Sequence, residues 1–174
     1  MKNLLTAIVM SLVLLGCSSM KPENFQANIP VLDLFSYFDG KTKAWGIFED
    51  RFGNIRRQFE VDIDGKIEDG NLTLDEKFTY MDGETDQRIW RIRQINKNQY
   101  EGLADDVVGV ARGVVSGNAL NWKYDLNLKV GGSTYVVHFD DWMFLQTGGV
   151  MINRAKVSKW GLEIGQVTLF FTKP

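Results

Sequence analysis

The chain has 174 residues and a net charge of −2, with 20 basic and 22 acidic side chains interleaved along it, one histidine and one cysteine. This balance excludes a nucleic-acid-binding module, which would gather its Lys and Arg into one face or stripe. A single cysteine excludes an internal disulfide, and one histidine with no second His or Cys beside it gives no ligand set for zinc.

The N-terminus, MKNLLTAIVMSLVLLGCSS, carries a lysine followed by an apolar run from Leu4 to Leu15 that is broken only by Thr6 and Ser11. Residues 1–16 are expected to be a signal peptide, since the run is short of the ~20 residues that a transmembrane helix requires. The end of the run, Leu14-Leu15-Gly16-Cys17, resembles the bacterial lipobox, which makes Cys17 the expected lipidation site. Two or more acyl chains give stable anchoring, so the membrane is the expected partner. Ser18 stands where an aspartate is the usual inner-membrane retention signal of Gram-negative lipoproteins, which favours the periplasmic face of the outer membrane. Residues 17–29 are polar, contain Pro22 and read as a lipidated tether. Removing residues 1–16 leaves 158 of the 174 residues, and the part from 30 to 174 is the size of one domain.

In IPVLDLFSYF, Val31, Leu34, Phe35 and Phe38 fall at helical spacing after Pro30, which sits where a first helical turn would begin. A short amphipathic helix is expected, packed on the domain or capping one end of it. After Gly40 the period becomes two. Phe59, Val61 and Ile63 alternate with polar residues. So do Leu72, Leu74, Phe78 and Tyr80, and also Trp122, Tyr124, Leu126, Leu128 and Val130. These are half-buried strands.

Turn signals lie between the strands at Phe52-Gly53-Asn54, Asp64-Gly65-Lys66, Asp69-Gly70-Asn71, Asp82-Gly83-Glu84, Ser116-Gly117-Asn118, Gly131-Gly132 and Gly148-Gly149. The expected fold is all-β: an antiparallel up-and-down, calycin-like barrel of about eight to ten strands, closed because closure removes exposed edges. A β-sandwich is the alternative.

The segments FDGKTKAWGIFEDRFG, FEVDIDG, LDEKFTYMDGE, ADDVVGVARG, GNALNWKYDL, HFDDWMF and INRAKVSKWGLEIGQVTLFF, in this order, resemble the bacterial lipoprotein family called domain of unknown function 3833. The resemblance implies a small periplasmic lipoprotein and supplies no catalytic residues. Lipocalins are similar in outline only, since Ala44-Trp45-Gly46 does not reproduce their Gly-x-Trp signature.

HFDDWMF concentrates the only histidine with two aspartates, but alternation divides it. Phe139, Asp141 and Met143 share the more apolar face, and His138, Asp140 and Trp142 the other. Asp141 is therefore expected inside, where an ionised carboxylate needs a partner. Arg57 has the parity of Phe59 and Val61, Arg91 and Arg93 have that of Ile89 and Ile95, and Glu76 interrupts the row from Leu72 to Tyr80. These acids and arginines are expected to meet either as a structural ion-pair network or as the polar end of a cavity. In the second case the arginines would hold the headgroup of a lipid or other amphiphile. Trp122 and Tyr124 would line that ligand site with Phe59, Phe78, Phe139 and Met143, although a filled barrel would show the same pattern.

Enzyme motifs are weak. His138 beside Asp140 is the one acid/base candidate, Asp62-Ile63-Asp64-Gly65 lacks the remaining ligands of a calcium loop, and no phosphate-binding glycine loop or other cofactor motif occurs. The sequence thus favours a non-enzymatic, membrane-anchored lipoprotein that binds an apolar ligand. A structural or interaction module of the envelope and a lipid-modifying enzyme are the alternatives.

Overall fold

The computed structural model describes residues 20–173. A 3-10 turn (Pro22–Phe25) and helix α1 (Leu34–Phe38) precede ten antiparallel strands. These are β1 (Gly40–Asp50), β2 (Ile55–Glu68), β3 (Asn71–Tyr80), β4 (Thr85–Asn96), β5 (Gln99–Leu103), β6 (Val107–Ser116), β7 (Ala119–Val130), β8 (Ser133–Leu145), β9 (Met151–Lys159) and β10 (Leu162–Thr172). Each strand pairs with its successor, and β1 pairs with β10 from Lys43↔Thr172 to Asp50↔Gly165, which closes the sheet. The fold is the expected up-and-down barrel and not a sandwich.

Alternation places the side chains. Val61 and Ile63 of β2, Leu72 and Leu74 of β3, Trp122, Tyr124 and Leu126 of β7, and Val137 of β8 are all buried, while their polar neighbours face out. Trp142 faces outward yet is also buried, because Phe25 of the 3-10 turn covers it and Phe144, with ring centroids 5.7 and 5.3 Å away.

One expected turn is absent. Asp64-Gly65-Lys66 lies inside the continuous strand β2, opposite Asp75, Leu74 and Thr73 of β3. Gly65 is there for close approach instead, since a side chain on it would overlap the carbonyl oxygen of Phe38.

Helix α1 is shorter than its apolar spacing suggests. Asp33 caps it by accepting the Ser36 N–H at 2.8 Å, so the helix starts after Pro30 and Val31. Val31 is 69% exposed, whereas Leu32, Leu34, Tyr37 and Phe38 are buried. Phe38 packs edge-on against Phe171 of β10, Phe35 lies against Tyr100 of β5, and the Tyr37 hydroxyl donates to the Gly149 carbonyl at 3.1 Å. Partners from β2, β5, β10 and the β8–β9 connection mean that the helix spans and plugs one end of the barrel. The chain leading into it is fixed at that end too, by the Leu32 N–H donating to the Gly117 carbonyl at 2.8 Å. Among the described residues no helix or strand crosses the other end, which is bounded by the turns after β1, β3, β5, β7 and β9.

Gly65→Ala is expected to lower stability by about 1–3 kcal/mol, since the added methyl forces the plug off β2. Thr73→Ala, exposed on the adjoining strand, should stay within about 0.5 kcal/mol. Equilibrium urea unfolding of both variants measures the difference, and equal midpoints would contradict the close approach.

Candidate functional site

A cavity of about 1350 Å³ occupies the barrel. It exceeds the roughly 300–1,000 Å³ of ordinary small-molecule sites. Ten strands enclose more room than their inward side chains can fill, and one of the two largest of those side chains lies flat against the wall. The Trp122 indole covers Gly102 and Gly113, where any side chain would overlap it. Trp90 meets Trp122 and Tyr124 edge-on at 5.7 and 5.4 Å, and Tyr124 stacks on Phe139 at 4.9 Å. The opposite wall is apolar, formed by Phe48, Phe59, Val61, Val167 and Leu169.

At the waist of the barrel a polar belt interrupts these surfaces. Glu76 of β3 lies directly across the ladder from Arg88 of β4. Toward the mouth, β4 has no partner on its β5 side until Arg91, and Arg88 reaches across to the β5–β6 connection. It donates to Asp106 through Nε at 2.9 Å and Nη2 at 2.7 Å, a two-pronged guanidinium–carboxylate bond. Tyr124 and Asp141 continue the belt on β7 and β8, and Asn153 of β9 ends it by donating from its side-chain nitrogen to Asp141.

Burial controls the ionisation of this belt. Desolvation raises Asp141 to about 7; the Asn153 hydrogen bond opposes that rise and the nearby Glu76 adds to it. Desolvation likewise raises Glu76 to about 7, against the pull of Arg88 and with the repulsion of Asp106. The surface that Glu76 keeps faces the cavity. Burial also pushes the Tyr124 hydroxyl far up. Burial would lower Arg88, but the surrounding acidic groups outweigh it and hold the guanidinium charged.

Four of the residues expected from the sequence meet in this site: Glu76, Trp122, Tyr124 and Asp141. Arg57 faces inward as expected but stands at the mouth, where it pairs with Glu84 at 2.7 Å and covers the Tyr80 ring at 3.9 Å. Arg91 and Arg93 are on the outer surface, a correction of their expected place. Arg93 pairs there with Glu101 at 2.6 Å, and Arg91 approaches Asp105 at 4.0 Å. The inward side of β4 is Arg88, Trp90 and Ile92, the opposite parity from that expected. Arg88, Trp90, Asp106 and Asn153 are therefore site residues that the sequence reading missed. Asp141 is bound by an asparagine and not by an arginine.

His138 and Asp140 lie on the outer wall and do not form a pair. The His138 Nδ1 is 2.8 Å from Asp125, while Asp140 accepts from Asn121 at 2.7 Å and approaches Lys123 at 3.3 Å. Their exterior position keeps them out of any chemistry in the cavity.

The two raised carboxyls predict an unusual pH dependence. In the unfolded chain they titrate near 4.5 and 3.8 and in the folded one near 7, so the folded state holds more protons between these limits. Stability should fall as pH rises through that window, by up to about 1.4 kcal/mol per pH unit for each retained proton, and level off above it. Urea midpoints for Glu76→Gln/Asp141→Asn should lose this slope and lie above the unsubstituted protein on the alkaline side. An unchanged slope in the double variant would assign the protons elsewhere.

Comparison with solved structures finds the same barrel in an S-type phycobiliprotein lyase, CPES, from Guillardia theta. The TM-score is 0.59 at 6% sequence identity, with 87% of this chain and 96% of that one covered. At such identity the likeness concerns the fold alone. Among curated proteins the sequence has no match. The family model described as Protein of unknown function (DUF3833) matches residues 11–173, nearly the whole chain. The chain belongs to that family.

Proposed function

We propose that this protein is a non-enzymatic carrier that holds an apolar or amphiphilic molecule, a lipid foremost, inside its barrel, and that it works from a lipid anchor at Cys17 on the periplasmic face of the outer membrane. The observation that carries the ligand reading is the cavity itself, about 1350 Å³, plugged by α1 at one end and lined mainly by apolar and aromatic side chains. Below the polar mouth, the polar groups are gathered in one belt, which suits the orientation of a guest whose remaining surface is apolar. The filled-barrel alternative lacks support in this interior. The anchoring reading rests on the sequence of residues 1–17, which lie outside the described residues.

Native mass spectrometry of the protein extracted from membranes should show a noncovalent adduct that is lost on denaturation. Ala155 is buried, lines the cavity and lies across the ladder from Asp141, so Ala155→Trp should cut adduct occupancy about tenfold or more by filling that space. No adduct on the unsubstituted protein, or equal occupancy in the filled variant, would overturn the carrier reading.

Anchoring has a separate test. Cys17→Ser should leave an uncleaved precursor or a soluble protein, whereas the unsubstituted chain should gain the mass of its acyl groups and sediment with outer membranes. A variant that still fractionates with outer membranes as a cleaved protein would sink the lipid-anchor reading.

A further inference from the structure

The belt at the waist of the cavity has an excess of acceptors. Three carboxyls face it, Glu76, Asp106 and Asp141, together with one cation, Arg88. Arg88 is already engaged by Asp106 through two donors. Among the described residues neither Glu76 nor Asp141 has a Lys or Arg nitrogen within ion-pair distance, because Arg57 is held by Glu84 at the mouth, and Arg91 and Arg93 are outside. Asn153, wholly buried, spends its side-chain nitrogen on Asp141 and leaves its side-chain oxygen with no donor. A buried acceptor left unmet is destabilising, and a donor brought by a guest would relieve it.

We propose, resting on the carrier reading, that the belt recognises a cationic, hydrogen-bond-donating head, so that the barrel selects amphiphiles ending in a protonated amine over those ending in carboxylate or phosphate. An ammonium group carries several donors and no acceptor, which matches two carboxyls that have no cation within ion-pair distance among the described residues and an amide oxygen without a donor. An anionic head finds the Arg88 donors already taken by Asp106 and, above about pH 7, meets two like charges in a low-dielectric wall that the neutral Tyr124 hydroxyl does not offset. The apolar wall opposite, with Phe59, Val61 and Leu169, takes the chain of the same molecule.

The selectivity depends on pH through the groups that surround the head. These are Glu76 on β3, Arg88 on β4, Asp106 before β6, Tyr124 on β7 and Asp141 on β8, with uncharged Asn153 on β9; Asp75 and Asp140 act from the outer side of the same strands. Above about pH 7 both inner acids are ionised and favour the ammonium. Below it they bind protons, and the advantage shrinks.

Calorimetric titration of the full chain in phosphatidylcholine nanodiscs with dodecylamine, dodecanol and dodecanoate tests this, with Ala155→Trp as the reference for partitioning into lipid. At about pH 8 dodecylamine should bind at least about tenfold tighter than dodecanoate. The preference should narrow near pH 5.5, and Glu76→Gln/Asp141→Asn should abolish it. Dodecanoate binding as tightly as dodecylamine, or a preference that survives the double substitution, would overturn the ammonium site and leave the carrier reading standing. If none of the three binds better to the unsubstituted protein than to Ala155→Trp, the carrier reading falls and takes this inference with it.

Discussion

The pairing of β1 with β10 is the contact on which the rest of the molecule depends. Without it the first and last strands would each expose a row of backbone donors and acceptors. With it, every strand has two neighbours, and the two-residue period acquires a fixed meaning of inside and outside. Ten strands in one ring also set a circumference too large for inward side chains to meet across the axis. The cavity is a result of strand number, and the plug is needed because a ring has two open ends.

Closure also explains where polar residues can be tolerated inside. The belt of Glu76, Arg88, Asp106, Tyr124, Asp141 and Asn153 runs from β3 and β4 through the β5–β6 connection to β7, β8 and β9, so each group has a neighbour in reach of a hydrogen bond or a charge. The cavity walls formed by Phe48 of β1, Phe59 and Val61 of β2 and Val167 and Leu169 of β10 are apolar. The interior therefore has a polar side and an apolar side, which is an orienting geometry for a two-part guest.

Much of this was legible in the residues. The alternating rows around Phe59, Leu74 and Trp122 placed three strands with the correct face inward, and the inward position of Asp141 followed from its apolar neighbours. β4 was not read correctly, because Ile89, Arg91, Arg93 and Ile95 on one parity and Arg88, Trp90 and Ile92 on the other have similar mixtures of apolar and basic residues. The turn at Asp82-Gly83 contained the answer. A hairpin closed by Tyr80 and Glu84 sets Leu74 opposite Trp90 and Glu76 opposite Arg88. Gly65 was misread for a different reason. Asp-Gly is a turn signal when the chain must reverse, and the same glycine serves a strand when another backbone must come close. That demand comes from α1, distant in sequence, and leaves no local pattern. Asn153 was legible in principle, since it shares parity with Met151, Ala155 and Val157, but an asparagine among apolar residues draws less notice than a charge.

The position of the first described residues gives the barrel a direction. The 3-10 turn at Pro22 and the Leu32–Gly117 bond lie at the plugged end, and strands of this length put the mouth about 25–30 Å away. Five residues, 17–21, can span at most roughly 18 Å. Anchored at Cys17 as proposed, the molecule cannot lay its mouth flat on its own bilayer, because the plugged end would then stand a full barrel length above the anchor. On that proposal, the tethering membrane would not be the surface that the mouth meets face on. Loading and release would involve a donor or acceptor that approaches through the aqueous space, and the anchor would serve to set the height and heading of the opening.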